Sequence, residues 1–292
     1  MLEEQKENAA GRIKKDEYGK DNIQDFALWK AWDEKDGDVF WNTALGKGRP
    51  GWHIECSAMS MATLGEQIDI HTGGVDLIFP HHENEIAQSE GATGKPFVKY
   101  WMHNEWVLVD QKKMSKSEKN FYTLRDLVDK SIDPIVYRFW LLMANYRTRV
   151  NFVWEALEGA ETALKRLYNL CLELGSNVGK VNSEYQKKFK EFIEDDLDTP
   201  RALTVLWDVM KEENLSSADK KATVLDFDKV FGLGFADLKE EKIPEEVQKL
   251  AKEREQTRKN KDFSKSDELR KKINSLGYEV KDTAEGQKVS KL

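Results

Sequence analysis

Two features are scarce in this chain: cysteine and long apolar runs. Among 292 residues there are only two cysteines, Cys56 and Cys171. They cannot build a disulfide framework, so each must be explained singly. The longest apolar stretches, such as Phe139-Trp140-Leu141-Leu142-Met143-Ala144, fall far short of the roughly 20 residues that a membrane-spanning helix needs. The start of the chain, Met1-Leu2-Glu3-Glu4-Gln5-Lys6, is polar and acidic and does not read as a secretion signal, so the cytoplasm is the expected compartment, with no membrane association. An excess of positive charge is also missing. The formal net charge is -7, which argues against non-specific nucleic-acid binding over the whole surface.

What remains is the composition of a protein in solution with a real core. Hydrophobic residues make up 39% and charged residues 34% of the chain, and its length fits roughly two domains. The charge is uneven. From residue 241 to the end, 14 Lys/Arg stand against 11 Asp/Glu, a mildly basic tail on an acidic body. Such a tail suits an RNA contact and equally suits a solvated helical face.

The texture of the sequence changes twice. Residues before about Asp21 are polar and read as a short helix and a turn. Asp25 to Pro50 is rich in Gly, Asp and Trp, which predicts short strands and ordered loops. Between Gly51 and Tyr122, strand-like and helix-like pieces alternate as in an α/β layer. Glu66 to His71 alternates as a strand does and runs into Gly73-Gly74. Pro80 is expected to open a helix through about Ser89, and Trp106 to Val109 reads as another strand. From Thr123 onward the pattern is helical. Asp133-Pro134 is a cap followed by proline at the first helical position. Leu157, Ala160, Leu164, Leu167 and Cys171 form one apolar stripe. Helices are also expected from Thr199-Pro200, from Ile243-Pro244 and over Asp262 to Leu276, the last stopped by Gly277. The predicted organisation is α/β over 1–122, connecting helices over 123–150 and an all-α part over 151–292.

Two segments carry chemistry. In Pro80-His81-His82-Glu83-Asn84-Glu85, a helix that starts at Pro80 puts His81 and Glu85 four residues apart on one face. An imidazole and a carboxylate at that spacing can share a zinc ion, and the thiolate of Cys56 upstream would make a third ligand. The plainer alternative is a helix start with solvated charges and a small buried cysteine. His82 has Ile86 four residues on, so it cannot join the ion through the same face and reads as a packed or supporting residue. The second segment, Lys112-Lys113-Met114-Ser115-Lys116-Ser117-Glu118-Lys119-Asn120, follows a strand ending at Val109-Asp110. Lysines and hydroxyls on a loop can grip a triphosphate as charge builds on it. By composition alone it is a solvated turn.

As literal strings these segments resemble a known family. Lys113-Met114-Ser115-Lys116-Ser117 is similar to the signature loop of class I aminoacyl-tRNA synthetases. Gly51-Trp52-His53-Ile54-Glu55-Cys56-Ser57-Ala58-Met59 and Phe79-Pro80-His81-His82-Glu83-Asn84-Glu85 resemble the two zinc segments of the cysteinyl-tRNA synthetase family. Asp25-Phe26-Ala27-Leu28-Trp29-Lys30 and Gly48-Arg49-Pro50 look like its insertion region, and Asp196-Leu197-Asp198-Thr199-Pro200 like part of its helical domain. The resemblance implies a fold class: the C-terminal part of a Rossmann-like class I catalytic domain with an insertion over about 1–50, followed by an α-helical tRNA-binding bundle whose end lies nearest the anticodon. It implies that Cys56, His81 and Glu85 hold one zinc ion, which receives the thiolate of the substrate cysteine. A soft thiolate binds zinc far better than the hydroxyl of serine does, so selection needs no editing. Trp52 would pack on the substrate, with His71 and Asp76 close by. For Trp52 a core aromatic is an equal alternative, and for His71 and Asp76 plain polar positions in a strand end and a turn are another. Lys116 would contact ATP, supplied with Mg2+, and stabilise the adenylation transition state with support from Lys113, while Ser115 and Ser117 would line the ATP site. The partners implied are cysteine, ATP and cysteine tRNA, with the chain monomeric.

The family's earlier ATP motif, of His-Ile-Gly-His type, has no counterpart in this sequence, and neither does the fourth zinc ligand that precedes it. The expectation is a fragment or one half of a split enzyme with a separate N-terminal half, a chain that alone forms no adenylate and binds zinc weakly. Two rivals stand beside the ligase: a ligase of the same lineage joining cysteine to an amino sugar, which would not need the helical tail, and a non-catalytic tRNA-binding fragment. A zinc metalloprotease is excluded, as there is no His-Glu-x-x-His.

Overall fold

The computed structural model describes residues 25–115, 120–239, 243–283 and 286–291. The short helix expected before Asp21 and the loop residues Lys116 and Ser117 lie outside them. The chain divides into two compact units, Met1–Phe235 and Ala236–Leu292.

The first unit opens with a small antiparallel sheet of β1 (Trp29–Ala31), β2 (Trp41–Thr43) and β3 (Gly46–Pro50), in the order β1-β3-β2. Helix α1 (Trp52–Leu64) follows at once. Strands β4 (Ile68–Gly74) and β5 (Val98–Asn104) pair in parallel and are connected through α2 (Glu83–Thr93). Successive strand residues face opposite ways. The His71–Trp101 pair therefore lies on one face of this ribbon, and the Ile70–Tyr100 pair on the other. Strand β6 (Val107–Val109) pairs antiparallel with β7 (Lys112–Lys113) and parallel with β8 (Val150–Phe152).

The helix expected from Pro80 begins later. Phe79 stands just before a proline, which pushes it out of the helical region. It is extended at φ -131° and ψ 134°, inside a wide turn over Ile78–His82, and the regular helix runs Glu83–Thr93. That turn carries both His81 and His82.

Helices α3 (Leu124–Asp129) and α4 (Pro134–Leu142) start on side-chain caps. Thr123 and Asp126 cap each other, and the Asp133 carboxylate accepts from the Ile135 amide at 2.9 Å. Strand β8 interrupts the helical pattern. Three residues are too few to show a period, and Val150–Phe152 becomes a strand only by pairing with the distant β6. The bundle follows with α5 (Trp154–Glu173), α6 (Ser183–Glu194), α7 (Thr199–Lys211) and α8 (Ser217–Phe231). The apolar stripe of α5 is its buried face: Leu157, Ala160, Leu164, Leu167 and Cys171 are all at most 2% exposed. Phe189 stacks on Phe227 with centroids 4.2 Å apart, joining α6 to α8. On α7, Leu203, Leu206 and Met210 are buried, while Trp207 is half-buried.

The second unit packs α9 (Glu245–Lys259) and α10 (Phe263–Ser275) with a hairpin of β9 (Tyr278–Thr283) and β10 (Gly286–Lys291). Its core is Val247, Ala251, Ile273 and Val280. Gly277, at φ 83°, ends α10 in the left-handed conformation that favours glycine. Arg254 is 1% exposed and forks onto the two Asp282 oxygens at 2.9 and 3.0 Å. The hairpin departs from the all-α reading of this region. Its residues are mostly polar or charged, and among the described side chains of β9 only Val280 is buried deeply enough to mark a strand.

Candidate metal centre and lysine loop

All five histidines of the chain meet in one place in the first unit. Helix α1 presents Trp52 and, one turn later, Cys56. The turn before α2 presents His81 and His82, α2 presents Glu85, and the parallel strands present His71 and His103. The donor atoms of Cys56, His81 and Glu85 lie within 4.8 Å of one another, as do those of His71, His82 and Glu85. His81 and Glu85 are four residues apart, with His81 Nε2 2.8 Å from one Glu85 oxygen, and His71 Nε2 is 3.0 Å from the other. The two oxygens of this fully buried carboxylate thus face one imidazole nitrogen each.

Such a carboxylate is costly unless a cation or donors compensate it. Thiolate, imidazole and carboxylate are the donors zinc takes, so Cys56, His81 and Glu85 fit a zinc ion in chemistry and proximity. The outer nitrogens are also held. His81 Nδ1 is 2.8 Å from His53 Nδ1, and His82 Nδ1 is 2.8 Å from His103 Nε2. Burial pushes the Cys56 thiol up, reinforced by the Glu85 charge. Burial also opposes ionisation of Glu85, but the neighbouring imidazoles of His81, His71 and His82 outweigh it and hold the carboxyl below the usual range. His82 is driven by burial down to about 4 and is neutral at physiological pH.

Trp52 is 57% exposed and lays its ring on His81, with centroids 4.4 Å apart. It is therefore a partly open wall of the centre and not a core aromatic. His71 packs against Trp101 at 4.7 Å between centroids. Asp76 lies in the turn after β4, where Trp106 and Lys113 are its polar contacts among the described residues. Trp106 donates its indole N–H to Asp76 Oδ1 at 3.0 Å, and the Lys113 ammonium lies 4.0 Å from the Trp106 ring centroid. The loop that starts at Lys113 is closed at its base by Asn120, whose side chain accepts from the Ser115 amide at 2.8 Å and donates to the Lys113 carbonyl at 3.2 Å.

Sequence reasoning thus named Cys56, His81, Glu85, His71 and Trp52, which come together, and Asp76 and Lys113, which meet at the base of the loop. It read His82 as a packed or supporting residue, as it is found, buried against His103. It gave no site role to His53, His103, Trp106 or Asn120. The signal that could have found the histidines was their number: every one lies between residues 53 and 103.

Comparison with known proteins agrees with this layout. Residues 1–162 match the family of tRNA synthetases class I (C) catalytic domain, and residues 240–289 match the cysteinyl-tRNA ligase anticodon binding domain, within the second compact unit. The chain is 43% identical to the cysteine--tRNA ligase of Protochlamydia amoebophila, over 99% of its own length and 65% of that protein. It is likewise 43% identical to that of Brachyspira hyodysenteriae, over 97% of its own length and 64% of the relative. It spans about two-thirds of the length of the curated relatives it matches. Among solved structures, the agnB2 LeuRS of Agrobacterium radiobacter K84 in a ternary complex matches at a TM-score of 0.50 and 13% identity, covering 68% of this chain and 32% of the other. That likeness concerns fold alone. The chain belongs to the cysteinyl-tRNA synthetase family of class I.

Proposed function

We propose that this chain carries the cysteine-recognising centre, the lysine loop and the tRNA-binding part of a cysteine--tRNA ligase, which couples cysteine to its tRNA through an adenylate at the expense of ATP. The observation that carries this reading is the convergence of Cys56, His81 and Glu85 within 4.8 Å of one another, beside the exposed Trp52 ring.

Cys56, His81 and Glu85 would hold a zinc ion. That ion supplies a Lewis acid with a strong preference for a thiolate over a hydroxyl, and hence cysteine over serine. Trp52 walls the approach, and His71 turns toward the same carboxylate. Lys113, with Lys116, Ser115 and Ser117 following it, would contact the phosphates of ATP–Mg2+ and offset the charge that builds as the cysteine carboxylate attacks the α-phosphate. The domain over residues 240–289 would hold cysteine tRNA. That domain favours the ligase over an amino-sugar ligase of the same lineage, which has no use for an anticodon-binding part. Cytoplasmic residence and one chain per working unit belong to the same proposal; no helix among the described residues is long and apolar enough to cross a membrane.

The test separates the parts. In the cobalt-substituted chain, cysteine should shift the thiolate-to-cobalt absorption and serine should not. Equal responses to both would sink the recognition reading. Filter binding of cysteine tRNA, run beside cysteine-dependent pyrophosphate exchange, distinguishes a ligase from a fragment that only binds tRNA.

A further inference from the structure

Met114 follows Lys113 in the signature loop and is half-buried. It forms one wall of an apolar cavity of about 230 Å3, whose other walls include Tyr122, Leu124, Leu127, Tyr137 and Phe152. Leu127 on α3 and Phe152 on β8 are 3% and 4% exposed and make the floor. Leu124, one turn earlier on α3, is exposed and stands at the rim. The rings of Tyr122 and Tyr137 lie with centroids 5.7 and 6.3 Å from that of Phe152.

Size, shape and polarity together say what fits. A cavity of roughly 150 Å3 takes up benzene, so this one has room for two fused rings. Three aromatic walls favour a flat guest, packed edge-to-face or offset. No charged side chain lines the space among the described residues, so the guest is uncharged. One polar group is left uncommitted. The Thr123 hydroxyl already donates to Asp126 at 2.7 Å, whereas the Tyr137 hydroxyl has no hydrogen-bond partner among the described residues, and burial alone pushes its pKa up. The Tyr137 ring is fixed by stacking on Trp140, with centroids 5.6 Å apart, so its hydroxyl is offered in one place. An apolar pocket with a placed hydroxyl selects a guest with an acceptor atom. We propose that this cavity binds a small, flat, uncharged heteroaromatic molecule through Tyr137, and that the guest sets the position of the lysine loop through Met114. Met114 lies between Lys113 and Ser115, whose amide is held by Asn120, so a guest that pushes on Met114 pushes on the loop at its base.

The test uses the full chain with its methionine methyls labelled with 13C, the Met114 signal being assigned from M114L. Quinoline and naphthalene share one shape and differ in a ring nitrogen. Each should move the Met114 signal saturably and more than that of any other methionine. Y137F should weaken quinoline by about three- to tenfold, the effect of one hydrogen bond, and leave naphthalene unchanged. L124W should crowd the rim and weaken both by about tenfold or more. Leu124 is exposed, so that variant spares the core. Quinoline at saturation should change the acylation rate of Lys113 relative to Lys112. No saturable shift at Met114, or binding that L124W leaves unchanged, overturns the site. Equal loss of both probes in Y137F overturns the selection by the hydroxyl, and a constant Lys113 to Lys112 ratio overturns the control of the loop. The inference goes beyond the proposed function: none of these readouts needs ATP, cysteine or tRNA, so they stand even if the loop fails to grip ATP.

Discussion

The indole N–H of Trp106 and the ammonium of Lys113 meet at one carboxylate: Asp76 accepts from Trp106 Nε1 at 3.0 Å with Oδ1, and its Oδ2 lies 3.7 Å from Lys113 Nζ, itself 4.0 Å from the centre of the Trp106 ring. The first lysine of the signature loop is thus held by a ring and an anion that belong to other segments. All three side chains are partly exposed, so the energy involved is modest, about 0.5–1 kcal/mol for the cation–ring contact.

If Trp106 holds Lys113 in place, the amine of Lys113 should be guarded relative to its neighbour Lys112. Acylation by an amine-selective reagent, followed by peptide mass spectrometry, should show Lys113 reacting more slowly. W106L should bring its rate up to that of Lys112. W106F keeps the ring face and loses the N–H, and should fall between. Equal rates at both lysines in the unaltered chain would refute the arrangement.

Gly73 is required by contact and not by backbone angle. Its missing Cβ would stand 2.6 Å from the His82 ring and 3.0 Å from Leu77. The His82 ring has no simple retreat, because it is tied to His103. G73A should therefore destabilise the first unit by about 1–3 kcal/mol, the usual cost of overpacking. Thermal unfolding read by tryptophan emission measures this, and a neutral substitution would contradict the packing described.

The second unit offers a pH experiment. The Arg254 hydrogen bond, against some opposition from burial and with help from the charges of Arg258 and Arg270, holds the Asp282 carboxyl below the usual aspartate range. A carboxyl lowered by folding stabilises the fold above its ordinary pKa of about 3.9, and that contribution drains away as pH falls through the lowered value. Hydrogen exchange in α9 and β9 should therefore accelerate, relative to intrinsic rates, as pH drops below about 4 in the unaltered chain. D282N should be less protected at neutral pH, by about 2 kcal/mol for an almost fully buried guanidinium that has lost its anion, and should show a flatter acid dependence. A variant as protected as the parent would show that Arg254 is satisfied without Asp282.

Periodicity and caps were legible wherever an element owes its form to its own residues. The stripe Leu157 to Cys171, the Asp133 cap and the Gly277 stop are of this kind. What escaped depends on partners distant in the chain. Strand β8 exists through β6, and β9 through β10 and the helices it covers. The site divides along the same line. His81 and Glu85 are four apart and announce themselves, and Cys56 entered on its chemistry. His53, His82 and His103 are joined to the centre by ring-to-ring contacts between α1, the turn and β5 that no local spacing encodes. The late start of α2 was readable in principle from Phe79-Pro80, since a residue before proline resists the helical conformation.

The placement of tryptophan makes the centre optically conspicuous. All nine indoles of the chain precede residue 236, and two of them lie against the histidine cluster, Trp52 on His81 and Trp101 beside His71, His82 and His103. Imidazole in van der Waals contact quenches indole emission to a degree set by its charge and by what it ligates. The chain therefore contains its own fluorescent gauge of events around Glu85, readable without a dye, while the anticodon-binding unit stays dark in the same spectrum.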